Sequence, residues 1–334
     1  MITPPSWSSV FQGIIKTTSE RQRLASALSV TNMTLSRWAS GESKPQKNHL
    51  IRLVRVVHPN QRQELLEALE EEYTEIHSWL AEDTPEQIPS DFFAQVLNLR
   101  TTTTESLLFW RITDAVLKQA LVHMDPHSLG MAIRVIQCMP PSHGDKIRSL
   151  RERAGKGTYP WPSDLEHDVH FLGMESLSGN AMKSHHVVWQ DDLRERSNSP
   201  VIRSEHEISA AATPIRFEGR VAGCLLTSST QPKYFTPQRL TLLTTYSDLI
   251  ALAFKKSEFY LPALVELRVL PLPEYQNPVV ATFRRRFTEK FQQTTHQQQL
   301  SNPELELQVW QDIETELLQN LPEVAYRHTF APRE

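Results

Sequence analysis

The residues whose chemistry is easiest to read lie in the stretch SERQRLASALSVTNMTLSRWASGESKP, residues 19–45. On a helix, Asn32, Met33, Ser36 and Arg37 share one face, and it combines an amide, a hydroxyl, a guanidinium and one apolar tip. That is the kind of surface a recognition helix pushes into the major groove of duplex DNA. Such a face needs a rigid support. Ser19 is suited to cap a first helix holding Leu24, Ala25 and Leu28, residues 29–31 make a three-residue turn, and Thr31 caps a second helix that starts at Asn32. Small Ala25 lets two crossing helices approach, Val30, Leu35 and Trp38 fix their angle from the apolar side, and Gly41 ends the second helix.

Other reactive side chains carry less. His167 and His170, with Asp164, Glu166 and Asp168, sit in a polar stretch without a helical register and read as a solvated loop rather than a metal site. His185 and His186 are adjacent, so on an extended chain they point to opposite faces. Cys138 and Cys224 are far apart without a CxxC partner, which excludes a disulfide scaffold and a cysteine-built zinc site; both fall in apolar strand-like runs, where a thiol acts as a small hydrophobe. A Gly-rich phosphate loop, GxSxG and HExxH are all missing, so no enzyme, metal or fixed cofactor is expected.

The elements that must hold these residues exceed one domain, since 334 residues are more than a single core usually serves. The net charge is only −4, yet residues 1–60 hold eight Lys and Arg (Lys16, Arg21, Arg23, Arg37, Lys44, Lys47, Arg52, Arg55) against Glu20 and Glu42. A basic head on an acidic body suits a polyanion partner. The sequence contains no apolar run of membrane-spanning length and no secretory pattern at its start, so a cytoplasmic, membrane-free protein is expected.

Four segments follow: a helical head at 1–59, a helical linker at 60–104, an α+β domain at 105–260 and a mainly helical extension at 261–334. In the linker, Leu66, Leu69, Tyr73, Ile76 and Leu80 alternate at three and four, the seam of a short coiled coil predicted to pair with its copy in a homodimer, the alternative being that the stripe packs on its own chain. A short helix is expected at 92–99, then a long amphipathic helix from Glu105 and a strand at GMAIRVIQCM. Residues 147–161 suggest a strand, a turn and a loop, 171–184 a helix and VVWQD a brief strand. ISAAATPIRFEG and RVAGCLLTSS form a hairpin turning at Glu218 and Gly219. Thr236 and Pro237 open a closing helix. VELRVLPLPEY suggests an extra edge strand, followed by helices near 279–298 and 303–321.

Residues 10–57 resemble the phage-repressor and Cro type of helix-turn-helix domain. Arg21, Leu24, Ala25, Thr31, Thr34, Leu35, Ser36, Arg37, Trp38, Gly41 and Pro45 match its pattern; Ser29 stands where Gly is usual and Arg21 where Gln is common. The resemblance implies that Asn32, Met33 and Arg37 face base edges, that Arg21, Thr34, Lys44, Lys47 and Asn48 meet phosphates, and that Thr31 positions the helix. Arginine suits guanine, asparagine adenine, and methionine a thymine methyl.

Residues 105–260 resemble a GAF domain, with Pro214, Gly219, Gly223, Phe235 and Thr236 in the order of its closing signature. That resemblance implies either a small-molecule effector or a dimerisation unit, with Trp161, Phe171, Met174 and Met182 as pocket candidates. Together the two point to a homodimeric DNA-binding transcription regulator. The alternative is a non-enzymatic signalling or assembly protein whose head makes protein contacts and whose GAF-like part only dimerises.

Overall fold

Among the described residues eight helices precede the first strand, and the first six form a helical head. In the computed structural model, which describes residues 6–82, 87–142, 144–165, 169–194, 206–294 and 301–319, these are α1 (Trp7–Ile14), α2 (Thr18–Leu28), α3 (Asn32–Ala39), α4 (Lys47–Val56), α5 (Pro59–Glu72) and α6 (Ile76–Glu82). Their apolar stripes converge on one core that includes Trp7, Phe11, Leu24, Leu35, Leu50 and Leu69. Local chemistry sets the ends. Thr17, not Ser19, caps α2 by accepting from Glu20 N at 3.2 Å, because the helix begins two residues earlier than the apolar pattern implies. Ser29 takes the left-handed conformation (φ 58°, ψ 42°) that Gly would adopt more readily, and Thr31 Oγ1 caps α3 by accepting from Thr34 N at 3.2 Å.

The predicted coiled-coil seam is not there. The helix stops at Glu72, Tyr73 leaves helical geometry (φ −121°, ψ 74°), and a new helix starts at Ile76. Leu66, Leu69, Ile76 and Leu80 are buried in the head's own core, with half-buried Tyr73 edge-on to Trp7 at 6.3 Å. A heptad stripe says only that one face is apolar, and here residues 59–82 turn back and spend that face on their own chain. They complete the head, and the predicted seam is left with no free face to pair.

Next come α7 (Ser90–Thr102) and α8 (Glu105–Met124), then a six-stranded antiparallel sheet of order β3-β2-β1-β6-β5-β4. Its strands are β1 (Met131–Cys138), β2 (Leu150–Gly157), β3 (Phe171–Leu172), β4 (Val188–Gln190), β5 (Ser209–Phe217) and β6 (Arg220–Ser229), with α9 (Leu177–Ser184) between β3 and β4. α10 (Pro237–Ala251) follows, its Thr236 Oγ1 accepting from Arg239 N at 3.4 Å. One sheet face, with Met131, Ile133, Val135 and Leu225, packs on α7, α8 and α10. The other, with Ile136, Cys138 and Cys224, covers Met182 and Leu267. The β5–β6 hairpin turns through Glu218 (φ 48°) and Gly219 (φ 71°), both left-handed as a type I′ turn requires. At Gly223 a Cβ would lie 1.9 Å from Ile136 O, so only glycine allows β6 this close to β1.

The extension folds as α11 (Pro273–Val280), α12 (Phe283–Thr294) and α13 (Asn302–Gln319). The edge strand expected at VELRVLPLPEY reduces to one bridge, Ile147 to Val265. The helix expected over 171–184 splits into β3 and α9, because Gln276 pairs with the edge of β3 in the manner of a neighbouring strand. Its Oε1 accepts from Phe171 N at 2.8 Å and its Nε2 donates to Phe171 O at 2.9 Å and Pro271 O at 2.7 Å.

Candidate functional site

On α3, Leu35 and Trp38 point into the core while Asn32, Met33, Ser36 and Arg37 face solvent, and Met33 is 64% exposed. Ser36 Oγ donates back to Asn32 O at 3.1 Å, a bond within the ridge itself. Met33 thus stands at the outer edge of the helix, beside Asn32 and Arg37. The sequence therefore placed these four residues together.

The residues assigned to phosphates are less uniform. Arg21 Nε donates to Ile15 O at 3.3 Å, which ties the start of α2 to the end of α1. Thr34 shares a hydroxyl contact of 2.9 Å with the capping Thr31. Lys44 Nζ lies 2.7 Å from Glu72 Oε1, and that carboxylate holds its pKa above the usual lysine range. Lys47 stands 5.4 Å over the Trp79 ring, whereas Asn48 is exposed. The turn-back of α5 and α6 thus brings an acid and an aromatic ring to two lysines, which no local pattern foretells.

The four pocket candidates do not meet. Trp161 packs with Ala132 and Leu165, Phe171 with Trp310 on the extension, and Met182 among Ile136 and Cys138, while Met174 is half exposed. His170 is held by Glu152, its Nδ1 3.2 Å from Oε2, and His167 lies outside the described residues. Burial pushes the Cys224 thiol up to about 12 and Cys138 higher still, which keeps both protonated at neutral pH.

Two clefts take their place. One, of about 520 Å³, lies where head and sheet domain meet, among Glu70, His77, Asp125 and Gln231. Beside it Arg62 reaches out of α5: Nη1 donates to His127 O at 3.0 Å and to Ser128 O, and Nη2 to Arg55 O at 3.0 Å and Val57 O at 3.1 Å. Asp125 accepts from Leu129 N at 2.7 Å, Gly130 N at 3.2 Å and Thr158 Oγ1 at 2.6 Å. Burial raises its pKa to about 6 against the pull of those donors and of Arg62. The second cleft, of about 640 Å³, lies between β2 and the extension, among Trp110, Arg151, Arg153, Phe283, Arg284 and Trp310.

The sheet, α9, α10 and most of α8 fall within one recognised stretch. Residues 111–255 form a GAF domain. They match the GAF family model, which bears out the expected α+β domain. No curated protein matches the chain. Among solved structures, the chain is similar to the GAF domain of an Acinetobacter phosphoenolpyruvate-protein phosphotransferase, at 15% identity over 49% of this chain and 90% of that one, TM-score 0.37. It is also similar to free methionine-R-sulfoxide reductase from Neisseria meningitidis (11%, 50% and 92%, 0.33) and to the GAF-B domain of DevS from Mycobacterium smegmatis (20%, 45% and 92%, 0.30).

Sequence reasoning missed Arg62, Gln276, Arg151, Arg153 and Trp310. The signal for the arginines was present: Arg62 lies on the apolar face of its helix, and LRERAGKG alternates charge in a stretch that forms an inner strand. Among the described residues, no group of three or more His, Cys, Asp or Glu is placed to hold a metal ion, and no helix is long and apolar enough to cross a membrane.

Proposed function

We propose that the chain is a DNA-binding transcription regulator in which α2, the turn at Ser29 and α3 act as a helix-turn-helix and the GAF domain senses a small molecule. The observation that carries the reading is the α3 ridge, with Arg37 and Asn32 free to address base edges around exposed Met33. One head of this size buries too little surface for operator-grade affinity, so two copies act together on two half-sites. With the heptad face consumed inside the head, pairing falls to the helices that lead into the GAF domain, where Leu97 of α7 and Leu107 of α8 are more than half exposed. A ligand controls the regulator by preferring one arrangement of the two heads. The reading assigns the chain no reaction.

The test is duplex selection from a random pool, followed by binding at several salt concentrations. Arg37→Ala is expected to relax sequence preference by roughly 1–3 kcal/mol at one base position. Lys44→Ala lowers affinity for all sequences alike, and modestly, because Glu72 already engages that ammonium. A wild-type chain that binds no duplex in a salt-dependent way, while its head captures a protein partner, overturns the reading in favour of an assembly role.

A further inference from the structure

We propose that the cleft between β2 and the C-terminal helices binds a small aromatic anion, its charged group on Arg151 and its ring against Phe283 and Trp110. The site gives the sensing role a location and a ligand class. It rests on that reading only for its effect on the heads, because the binding itself follows from the cleft.

The charges in the cleft are unevenly answered. The β1–β2 register passes from Val135 opposite Ala154 to Ile136 opposite Glu152, which leaves Arg153 as the extra residue of a bulge. Bulges re-aim side chains, and this one sends Arg153 to the same side as Ala154, over the Phe109 ring with Cζ 3.4 Å from its centre. There Arg153 Nη1 donates to Glu258 Oε1 at 2.9 Å. Glu258 also accepts from Gln137 Nε2 at 3.1 Å and from Lys255 N at 2.8 Å, so its carboxylate already answers three donors. Arg151 has no such partner. Its Nε is buried without a hydrogen bond and its Cζ stands 4.4 Å over the Trp310 ring. Burial, then the like charge of Arg153, pushes its pKa down to about 9, with Glu306 opposing from a distance. Glu306 itself is exposed at the mouth and accepts from Trp310 Nε1 at 3.4 Å. A guanidinium taken from water without a matching anion is costly, and an incoming carboxylate or phosphate supplies two acceptors in the geometry the fork prefers.

The apolar part of the cleft is flat. Phe283 stacks on Trp310 with centroids 4.1 Å apart and planes 17° apart, and Trp110, 43% exposed, also lines the cleft. A volume of about 640 Å³ falls in the range of small-molecule sites, and Arg284 adds a second, exposed positive charge at the rim. Most of these walls lie outside residues 111–255, so the site belongs to the extension's packing on the sheet and not to the GAF segment alone.

The experiment is calorimetric titration of the full chain, without duplex, with 1-naphthoate, 1-naphthyl phosphate, 1-naphthamide and acetate. At least one of the two ring-bearing anions is expected to bind one per chain, while the neutral amide and ringless acetate do not. Arg151→Met weakens that binding about tenfold or more, the loss of a charge-assisted contact. Trp110→Ala, at a half-exposed position that leaves the core intact, weakens it through the ring alone. Equal binding of the amide, unchanged binding in Arg151→Met chains that melt like wild type, or no heat with either anion up to about 10 mM overturns the proposal. Because duplex is absent, failure of the cleft and failure of the DNA reading register separately.

Discussion

Arg62 and Arg151 both carry a guanidinium out of water at a junction with the sheet domain, and the protein treats them in opposite ways. Arg62, between head and body, donates to four backbone carbonyls from both sides of the joint. Each leaves its Nε without a partner, but Arg151, between body and extension, rests on an aromatic ring and donates no side-chain hydrogen bond to the described residues. The first arrangement uses buried charge as a clamp, since any movement of the head strips several carbonyls of their donor at once. The second stores an unmet demand for an anion. A buried arginine is thus structural or receptive according to what surrounds it, and the residue type alone does not say which.

The sharpest way to break this contrast is Arg62→Ala, which leaves several buried carbonyls unpaired and is expected to cost roughly 3 kcal/mol or more in urea unfolding. Arg62→Lys should recover little, because one ammonium cannot span four carbonyls. A loss below about 1 kcal/mol would remove the clamp from the account. Next in size is the pH dependence of the same joint. Asp125 has its pKa raised from 3.8 to about 6, so the folded state holds its proton more tightly than the unfolded one. Stability is then greatest below about pH 4 and declines as pH rises to about 6, by on the order of 2–3 kcal/mol from this group. A melting series in that window should show the decline, and Asp125→Asn should flatten it while lowering the midpoint, because the amide cannot accept from all three donors. At the other junction, Gln276→Ala exposes no charge but orphans Phe171 N and O, at a cost of about 2 kcal/mol in the same unfolding assay. Smallest is Arg151→Met, expected to lie within about 1 kcal/mol of wild type or to stabilise, since it removes a partly buried charge that has no carboxylate partner to strand. A loss as large as that of Arg62→Ala would make the two arginines alike.

Much of the architecture was legible because its causes are local. The α2–turn–α3 unit follows from Ala25, Ser29, Thr31 and Leu35 within one short window, and the hairpin from Glu218 and Gly219, whose left-handed backbone makes the tight turn. Thr236 and Pro237 announced α10. The coiled coil failed for a specific reason: Leu66, Leu69, Ile76 and Leu80 declare an apolar face without naming its partner, and a break at Tyr73 turned that face inward. The pocket residues failed likewise. Trp161, Phe171 and Met182 are large and apolar, as core residues are, and three separate clusters absorbed them.

The order of residues alone determined the α2–turn–α3 unit, the central hairpin and the start of α10, and which side chains of α3 point away from its support, since period, caps and turn geometry act over a few neighbours. Tertiary packing alone decided which charges are answered. Glu72 reaches Lys44, the carbonyls of residues 127 and 128 reach Arg62, and Trp310 reaches Arg151 across gaps of 28, about 65 and 159 positions in the chain. The free energy of a buried charge depends on what stands within a few ångströms of it, and that distance is set by the fold and not by separation along the chain.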